Sequence, residues 1–268
     1  MSRKTTRLKP INYNAGNIKW YQKQLLTEIR EMNDEVRREI VNAIRDNPLA
    51  QDASLAMDAN PVTLLKKLLD ALARKWVDRF INKALPVSDE LMDKTQSAVD
   101  RGLLAAARRE SMTINMQWTD AMLEKREAII AKNVSLIRSI PEKYFTEVEG
   151  MVYRAVARGG DRKMLADEIE RNFGKRHEIT RRRAEFIARD QTRKATSALS
   201  IARQQAAGIV EAEWVHGGGG NRPRHSHVKA GKEKRRFKLS EGCLIDGEYI
   251  YPGQKPNCGC TCRPVLPF

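Results

Sequence analysis

Trp214, Arg222-Pro-Arg-His-Ser-His227, Gly231-Lys232, Phe237, Tyr251-Pro-Gly253 and Pro256-Asn-Cys-Gly-Cys-Thr-Cys-Arg-Pro264 punctuate the closing stretch of the chain. All four cysteines lie in it, three of them in the alternation Cys258, Cys260, Cys262. No helical period runs through this stretch beyond the glycines at 217–220. Short pieces such as Arg236-Phe-Lys-Leu239 and Glu248-Tyr-Ile-Tyr251, with turn signals at Asp246-Gly247 and Pro252-Gly253, predict hairpins. Soft thiolates beside imidazoles suit tetrahedral Zn2+, and a module with few large apolar residues gains much stability from such a pin. The candidate ligands are His227, Cys243, Cys258 and Cys260, with Cys262 and His225 as alternates. In an extended segment the three alternating thiols point to one side, which permits convergence on a metal. Alternatively the thiols stay reduced and partly buried while His227 is hydrogen-bonded in a loop. The Cys-x-Cys-x-Cys spacing is not that of a Cys-x2-Cys knuckle and does not decide between the two.

Working upstream, Ile209-Val-Glu-Ala-Glu-Trp-Val215 alternates and is β-branched at its ends, so it predicts a strand. Before it, a long helix is expected over about Glu178 to Ala207. Its inward residues are Ala184, Ile187, Ala188, Ala195, Ala198, Leu199, Ala202 and Ala206, and its other side carries Arg181, Arg182, Arg183, Arg189, Arg193 and Lys194. A short helix capped by Asp161 is expected through Leu165 and Ile169 to Phe173-Gly174. Farther back, apolar residues at three- and four-residue steps predict helices over about Ile18 to Arg45 and from Asn60-Pro61 to Leu85-Pro86. Others are expected from Ser88 to Arg109, from Thr119 to Pro141, and from Glu142 to Ala157 with a stop at Gly159-Gly160. The prolines are taken as helix ends because proline lacks the donor that a helix interior requires. Asn14-Ala-Gly-Asn17 reads as a loop, and the basic residues before it as an arm that orders only where something holds it.

The formal net charge is +15. Between Lys175 and Phe268 there are 19 Lys and Arg against 9 Asp and Glu, so about two thirds of the excess is concentrated in the last 94 residues. A concentrated positive surface fits a polyanion, because each neutralised phosphate releases a counterion. The candidate contacts to nucleic acid or an acidic partner are Arg181, Arg182, Arg183, Arg189, Arg193, Lys234, Arg235 and Arg236. Without interleaved aromatics, any DNA contact should be independent of sequence. No apolar run of about 18 residues offers a membrane span, and no secretory h-region follows the N-terminal cations. The chain is expected to work without a membrane and to be made in a reducing cytoplasm, where its thiols stay free or bind metal.

Enzymatic readings find little. The glycines at 217–220 lack the Gly-Lys-Ser/Thr end of a phosphate loop. Glu211-Ala-Glu213 looks superficially like the paired glutamates of an ADP-ribosyltransferase, although in a strand such a pair usually forms the solvent face.

The order Trp, Arg-Pro-x-x-Ser-His, Gly-Lys, Phe, Tyr-Pro-Gly, Asn-Cys-x-Cys-Thr, carried here by Trp214, Arg222 to His227, Gly231-Lys232, Phe237, Tyr251 to Gly253 and Asn257 to Thr261, resembles the C-terminal domain of the phage Mu F-like head morphogenesis family. What the resemblance implies is a non-enzymatic minor head protein of a tailed phage. It would act at the portal vertex in procapsid assembly and in genome packaging and ejection. Its expected partners are the portal protein, the major capsid or scaffold protein, and packaged double-stranded DNA bound without sequence preference; its expected location is the virion head. Two other functions are carried forward: a zinc-stabilised, sequence-independent DNA-binding module, and a toxin-like transferase. The fold expected is mostly α, an elongated multi-helix N-terminal region followed by a small α+β C-terminal domain with short hairpins. Its segments are a basic arm at 1–16, a helical region at 17–148 that is the candidate portal- or capsid-binding part, and the Mu F-like domain at 149–268.

Overall fold

The computed structural model describes residues 5–46, 61–114, 116–157, 162–218 and 222–267. In chain order the elements are β1 (Thr5–Arg7), α1 (Ala15–Asp46), α2 (Pro61–Arg109), α3 (Asp120–Ala157), α4 (Arg162–Ala206), β2 (Glu211–Val215), α5 (His225–Lys232), β3 (Arg236–Lys238), β4 (Cys243–Ile245), β5 (Glu248–Ile250) and β6 (Thr261–Pro267). The chain is thus mostly helical, with a small C-terminal region of short antiparallel strands, as its patterning predicts. The expected signals at Asn47-Pro48, Asn60, Gly159-Gly160, Asp161 and Gly219 to Asn221 lie outside the described residues.

Three expected breaks are not breaks. Pro86 lies inside α2, Pro141 inside α3, and Gly174 inside α4. An interior proline costs roughly 3 kcal/mol and an interior glycine about 1 kcal/mol. Against that stand buried side chains on both flanks: Phe80 and Ala84 before Pro86, Leu91 and Met92 after it, Ile137 and Ile140 before Pro141, Tyr144, Phe145 and Val148 after it. Each large apolar side chain buried is worth about 1.5–3 kcal/mol, so an apolar face that stays in phase outweighs the local penalty. Helix α1 likewise starts earlier than expected, because Asn14 caps it: its Oδ1 accepts the Gly16 N–H at 2.7 Å. Within α4, Ala198 is only half-buried and Ala206 is exposed, which narrows the expected alanine seam.

The chain divides into two compact units. One, Gln22–Val87 with Asn133–Glu185, consists of stretches of the four long helices around an apolar core. Leu25, Ile29 and Met32 of α1, Trp76 and Phe80 of α2, Val148 and Val152 of α3, and Ile169 and Phe173 of α4 are all buried there. Its polar ties join helix to helix. Glu28, 4% exposed, receives Arg79 Nε at 2.6 Å and Lys83 Nζ at 2.7 Å, and the Arg79 guanidinium lies 4.7 Å over the Trp76 ring.

The other unit, Met1–Tyr21 with Ser88–Lys132 and Phe186–Phe268, holds all the strands found among the described residues. Its main sheet has the order β1-β6-β2-β3, antiparallel throughout, with Trp214 opposite Cys262 and Arg7 opposite Val265. Within the basic arm, Thr5–Arg7 are therefore held as an edge strand. Strands β4 and β5 form the expected hairpin, turning at Asp246-Gly247, both at positive φ. Helix α5 was not legible: eight residues with only His227 and Ala230 buried give no period to detect. Among the described residues, no helix is long and apolar enough to cross a membrane.

Glu213 does not lie on a solvent face. It is 2% exposed, with Arg7 Nε at 2.7 Å and Arg236 Nε at 3.5 Å from its Oε1. Its role in the fold is to tie β1 and β3 to β2. Glu213→Ala is expected to destabilise the chain by about 1–3 kcal/mol, a range discounted because both arginines keep over a third of their exposure. A urea midpoint equal to that of the parent chain would show that the tie contributes nothing.

Candidate metal centre and arginine-lined cavity

The Cys-x-Cys segment reaches its position through a chain of local constraints. Asn257 takes a left-handed conformation (φ 59°), which asparagine tolerates better than most residues, and its N–H donates to Asp190 Oδ1 at 2.9 Å. Asp190 on α4 is buried and neutralised by Lys194 Nζ at 2.8 Å. This buried carboxylate thus fixes the residue immediately before Cys258. Opposite the loop, a Cβ on Gly217 would lie 1.7 Å from the Gly259 carbonyl oxygen, so only glycine permits the approach. The Gly231 of α5 is required in the same way, since a Cβ there would lie 2.6 Å from His216 Cβ.

These constraints bring His227, Cys258 and Cys260 together. His227 Nδ1 lies 3.4 Å from Cys258 Sγ and 3.8 Å from Cys260 Sγ, and the three ligand atoms lie within 4.8 Å of one another. All three side chains are buried, and the Trp214 ring stands edge-on to His227 with centroids 5.0 Å apart. Zn–S bonds of about 2.3 Å and a Zn–N bond of about 2.0–2.1 Å imply a tetrahedral S···N edge of about 3.6 Å. The observed separations bracket that length. The hydrogen bond from Cys260 pulls the Cys258 thiol below its ordinary value, and Cys260 is pushed up because it gives that hydrogen bond. Such a pair holds one negative charge readily. A cation between the two thiols would favour loss of the second proton, which is the linkage expected of a metal site.

The other two cysteines and His225 lie outside this group. Cys262, one step into β6, faces α4, where its Sγ is 3.6 Å from Gln204 Nε2, and burial pushes its thiol up to about 11. Cys243 is buried on β4, its thiol raised by burial and drawn back by Arg235. His225 opens α5 outside the group.

The group opens into a cavity of about 730 Å³. Arg189, Arg193, Arg222 and Arg224 line it together with Tyr13, His216, Asn257 and the three metal-ligand candidates. Of the predicted basic contacts, only Arg189 and Arg193 reach this cavity. Arg181 is bound to Glu178 and Glu185, Arg182 to Glu178, Arg235 to Glu233 and Arg236 to Glu213, while Arg183 donates to Ser139 Oγ at 2.9 Å. Arg181, with Arg182, holds the Glu178 carboxyl at about 2. Lys234 stands exposed after α5, with its backbone at positive φ. Sequence reasoning missed Arg222, Arg224 and His216 as cavity residues and Asp190 as the support of the loop. The Arg-Pro-Arg run was visible, but nothing in it shows that the run faces the cysteines.

The C-terminal fold is therefore a small antiparallel sheet packed on a long helix, carrying a buried His-Cys-Cys group under a basic cavity. Residues 146–263, less than half of the chain, match the family described as Phage Mu protein F like protein, a similarity that agrees with the resemblance carried by its motifs. An uncharacterised protein of Haemophilus influenzae (strain ATCC 51907 / DSM 11121 / KW20 / Rd) is 29% identical over 273 residues. That alignment covers 97% of this chain and 56% of the relative, so the chain spans little more than half the length of the curated relative it matches. No solved structure matches.

Proposed function

We propose that the chain is a minor head protein of a tailed phage, a structural component of the virion that acts at the portal vertex in procapsid assembly and in packaging and ejecting the genome. The observation that carries this is the Mu F-like match over residues 146–263. The architecture supports a structural role: Glu213 is engaged in holding the sheet together. That position leaves the toxin-like transferase reading without support from the geometry. The portal protein and the major capsid or scaffold protein are the proposed partners of the helical part, and double-stranded DNA, bound without sequence preference, the partner of the basic surface.

In the same reading His227, Cys258 and Cys260 hold a zinc ion that pins the cysteine loop to α5. The zinc contributes stability and keeps one position open, as three protein ligands imply. A second function, a zinc-stabilised DNA-binding module acting outside the particle, draws on the arginine-lined cavity. The two are separated by purifying assembled heads from cells producing the tagged chain. Retention at constant stoichiometry with the portal supports the head assignment. A chain that stays entirely in the soluble fraction and binds DNA there overturns it in favour of the second.

A further inference from the structure

The cavity above the His-Cys-Cys group has an unusual charge balance. Four guanidiniums line it and, among the described residues, no aspartate or glutamate does. Among the described residues, none of Arg189, Arg193, Arg222 and Arg224 makes a carboxylate ion pair, whereas Arg181, Arg182, Arg203, Arg235 and Arg236 all do. The charges at the cavity are uncompensated, but two of them are not loose. Arg224 places both terminal nitrogens on the Pro256 carbonyl oxygen at 3.1 Å. Arg193 donates to Tyr13 Oη at 3.2 Å and the Asn257 carbonyl at 3.4 Å, with its guanidinium 4.6 Å over the Tyr13 ring and its Nε buried without a hydrogen-bond partner. Neutral anchors of this kind fix the direction of a guanidinium without cancelling its charge. Asp190, next to Arg189 in α4, is already engaged by Lys194 and the Asn257 N–H.

We propose that this cavity is a binding pocket for phosphate oxyanions, with Arg189, Arg193, Arg222 and Arg224 as its charged walls and the His-Cys-Cys group at its base. Guanidinium matches the geometry of phosphate oxygens bidentately, and desolvated pairs of this kind are the stronger hydrogen bonds. Four uncompensated positive charges exceed what one carboxylate, carrying a single charge, would balance, which favours phosphate over an acidic side chain or a chain terminus. The volume lies within the range of pockets that enclose small ligands, about 300–1,000 Å³. It is large enough for a nucleotide unit rather than for a bare ion alone. The inference deepens the DNA contact proposed above by naming the phosphate group as what is recognised. Its chemistry holds equally for a DNA strand and for a free phosphate compound.

The test uses the chain as purified and four probes titrated calorimetrically at low salt: inorganic phosphate, a short single-stranded oligonucleotide with a 5′-phosphate, its unphosphorylated twin, and glutamate as the carboxylate control. The variant is Arg189→Gln with Arg222→Gln, two residues that retain solvent exposure. Arg181→Gln with Arg182→Gln is the control pair, since both are already held by Glu178. Losing two charge-assisted contacts should weaken the phosphate probes by about tenfold or more, with the control pair within about twofold of the parent. Zinc content and melting temperature should be unchanged in both. Preference for the phosphorylated oligonucleotide identifies strand ends, and equal binding of both oligonucleotides identifies internal phosphodiesters. Binding of inorganic phosphate without either oligonucleotide keeps the pocket and removes DNA as its source. No measurable binding of any phosphate probe, glutamate bound as tightly as phosphate, or an equal loss in the Arg181/Arg182 pair overturns the proposal. None of these outcomes alters whether the chain is found in assembled heads, so the two proposals fail separately.

Discussion

A His227→Ala chain purified beside the parent is expected to carry no stoichiometric zinc and to melt roughly 8–16 °C lower. His227 supplies the only imidazole of the group, and with it gone only two neighbouring thiols remain as ligand candidates there. A ligand present at about 1,000 times its Kd stabilises the folded state by about 4 kcal/mol, and a domain of this size shifts by about 2–4 °C per kcal/mol. A zinc chelator should reproduce the shift in the parent chain and leave the variant where it was. The informative controls are Cys243→Ser, Cys262→Ser and His225→Ala, three residues that are plausible ligands by composition but lie outside the group in space. They should keep their zinc. Their loss of metal, with His227→Ala retaining it, would place the centre elsewhere.

The second large effect is expected from Asp100→Ala. Arg203 is 2% exposed, and Asp100 meets it with both carboxylate oxygens, at 2.7 and 3.0 Å. The same guanidinium donates to the carbonyls of Met116 and Gln117 at 2.8 and 2.9 Å, and lies 4.9 Å over the Trp118 ring. One cation thus secures α2, the segment leading to α3, and α4. Removing the carboxylate leaves a buried charge with neutral partners only, which costs about 3–5 kcal/mol. Asp100 keeps 24% of its side-chain exposure, so water relieves part of this and the lower end, about 3 kcal/mol, is expected. Arg203→Met combined with Asp100→Leu should recover most of the loss, because replacing both partners leaves no unpaired charge. A single variant within about 1 kcal/mol of the parent in urea denaturation would mean that the carbonyls alone suffice for Arg203.

Much of the helical architecture was legible because amphipathic spacing reports a buried face directly, as with Trp76 and Phe80. The proline errors have one cause. Pro86 and Pro141 carry a strong local signal against helix, and the sequence around them does not reveal that buried residues on both sides keep the same face. Helix α5 failed for the opposite reason, being too short for a period. At the site, residue type pointed to the imidazole and thiols that the fold brings together, while the subset was not readable: an alternating Cys-x-Cys-x-Cys places three thiols alike only if the strand includes them all. Here β6 begins at Thr261, so Cys262 follows the pleat toward Gln204 while Cys258 and Cys260 belong to the loop that Asp190 and Asn257 hold. The basic residues separate similarly. Composition cannot distinguish Arg181, already committed to two glutamates, from Arg189, which has no carboxylate partner among the described residues.

X-ray absorption at the zinc edge on the purified chain tests the centre most directly. The expected first shell has two sulfurs at about 2.3 Å, one imidazole nitrogen at about 2.0–2.1 Å and a light atom in the remaining position. Three or four sulfurs would bring Cys262 or Cys243 into the shell and contradict the His-Cys-Cys assignment, as would a chain that takes up no zinc at all.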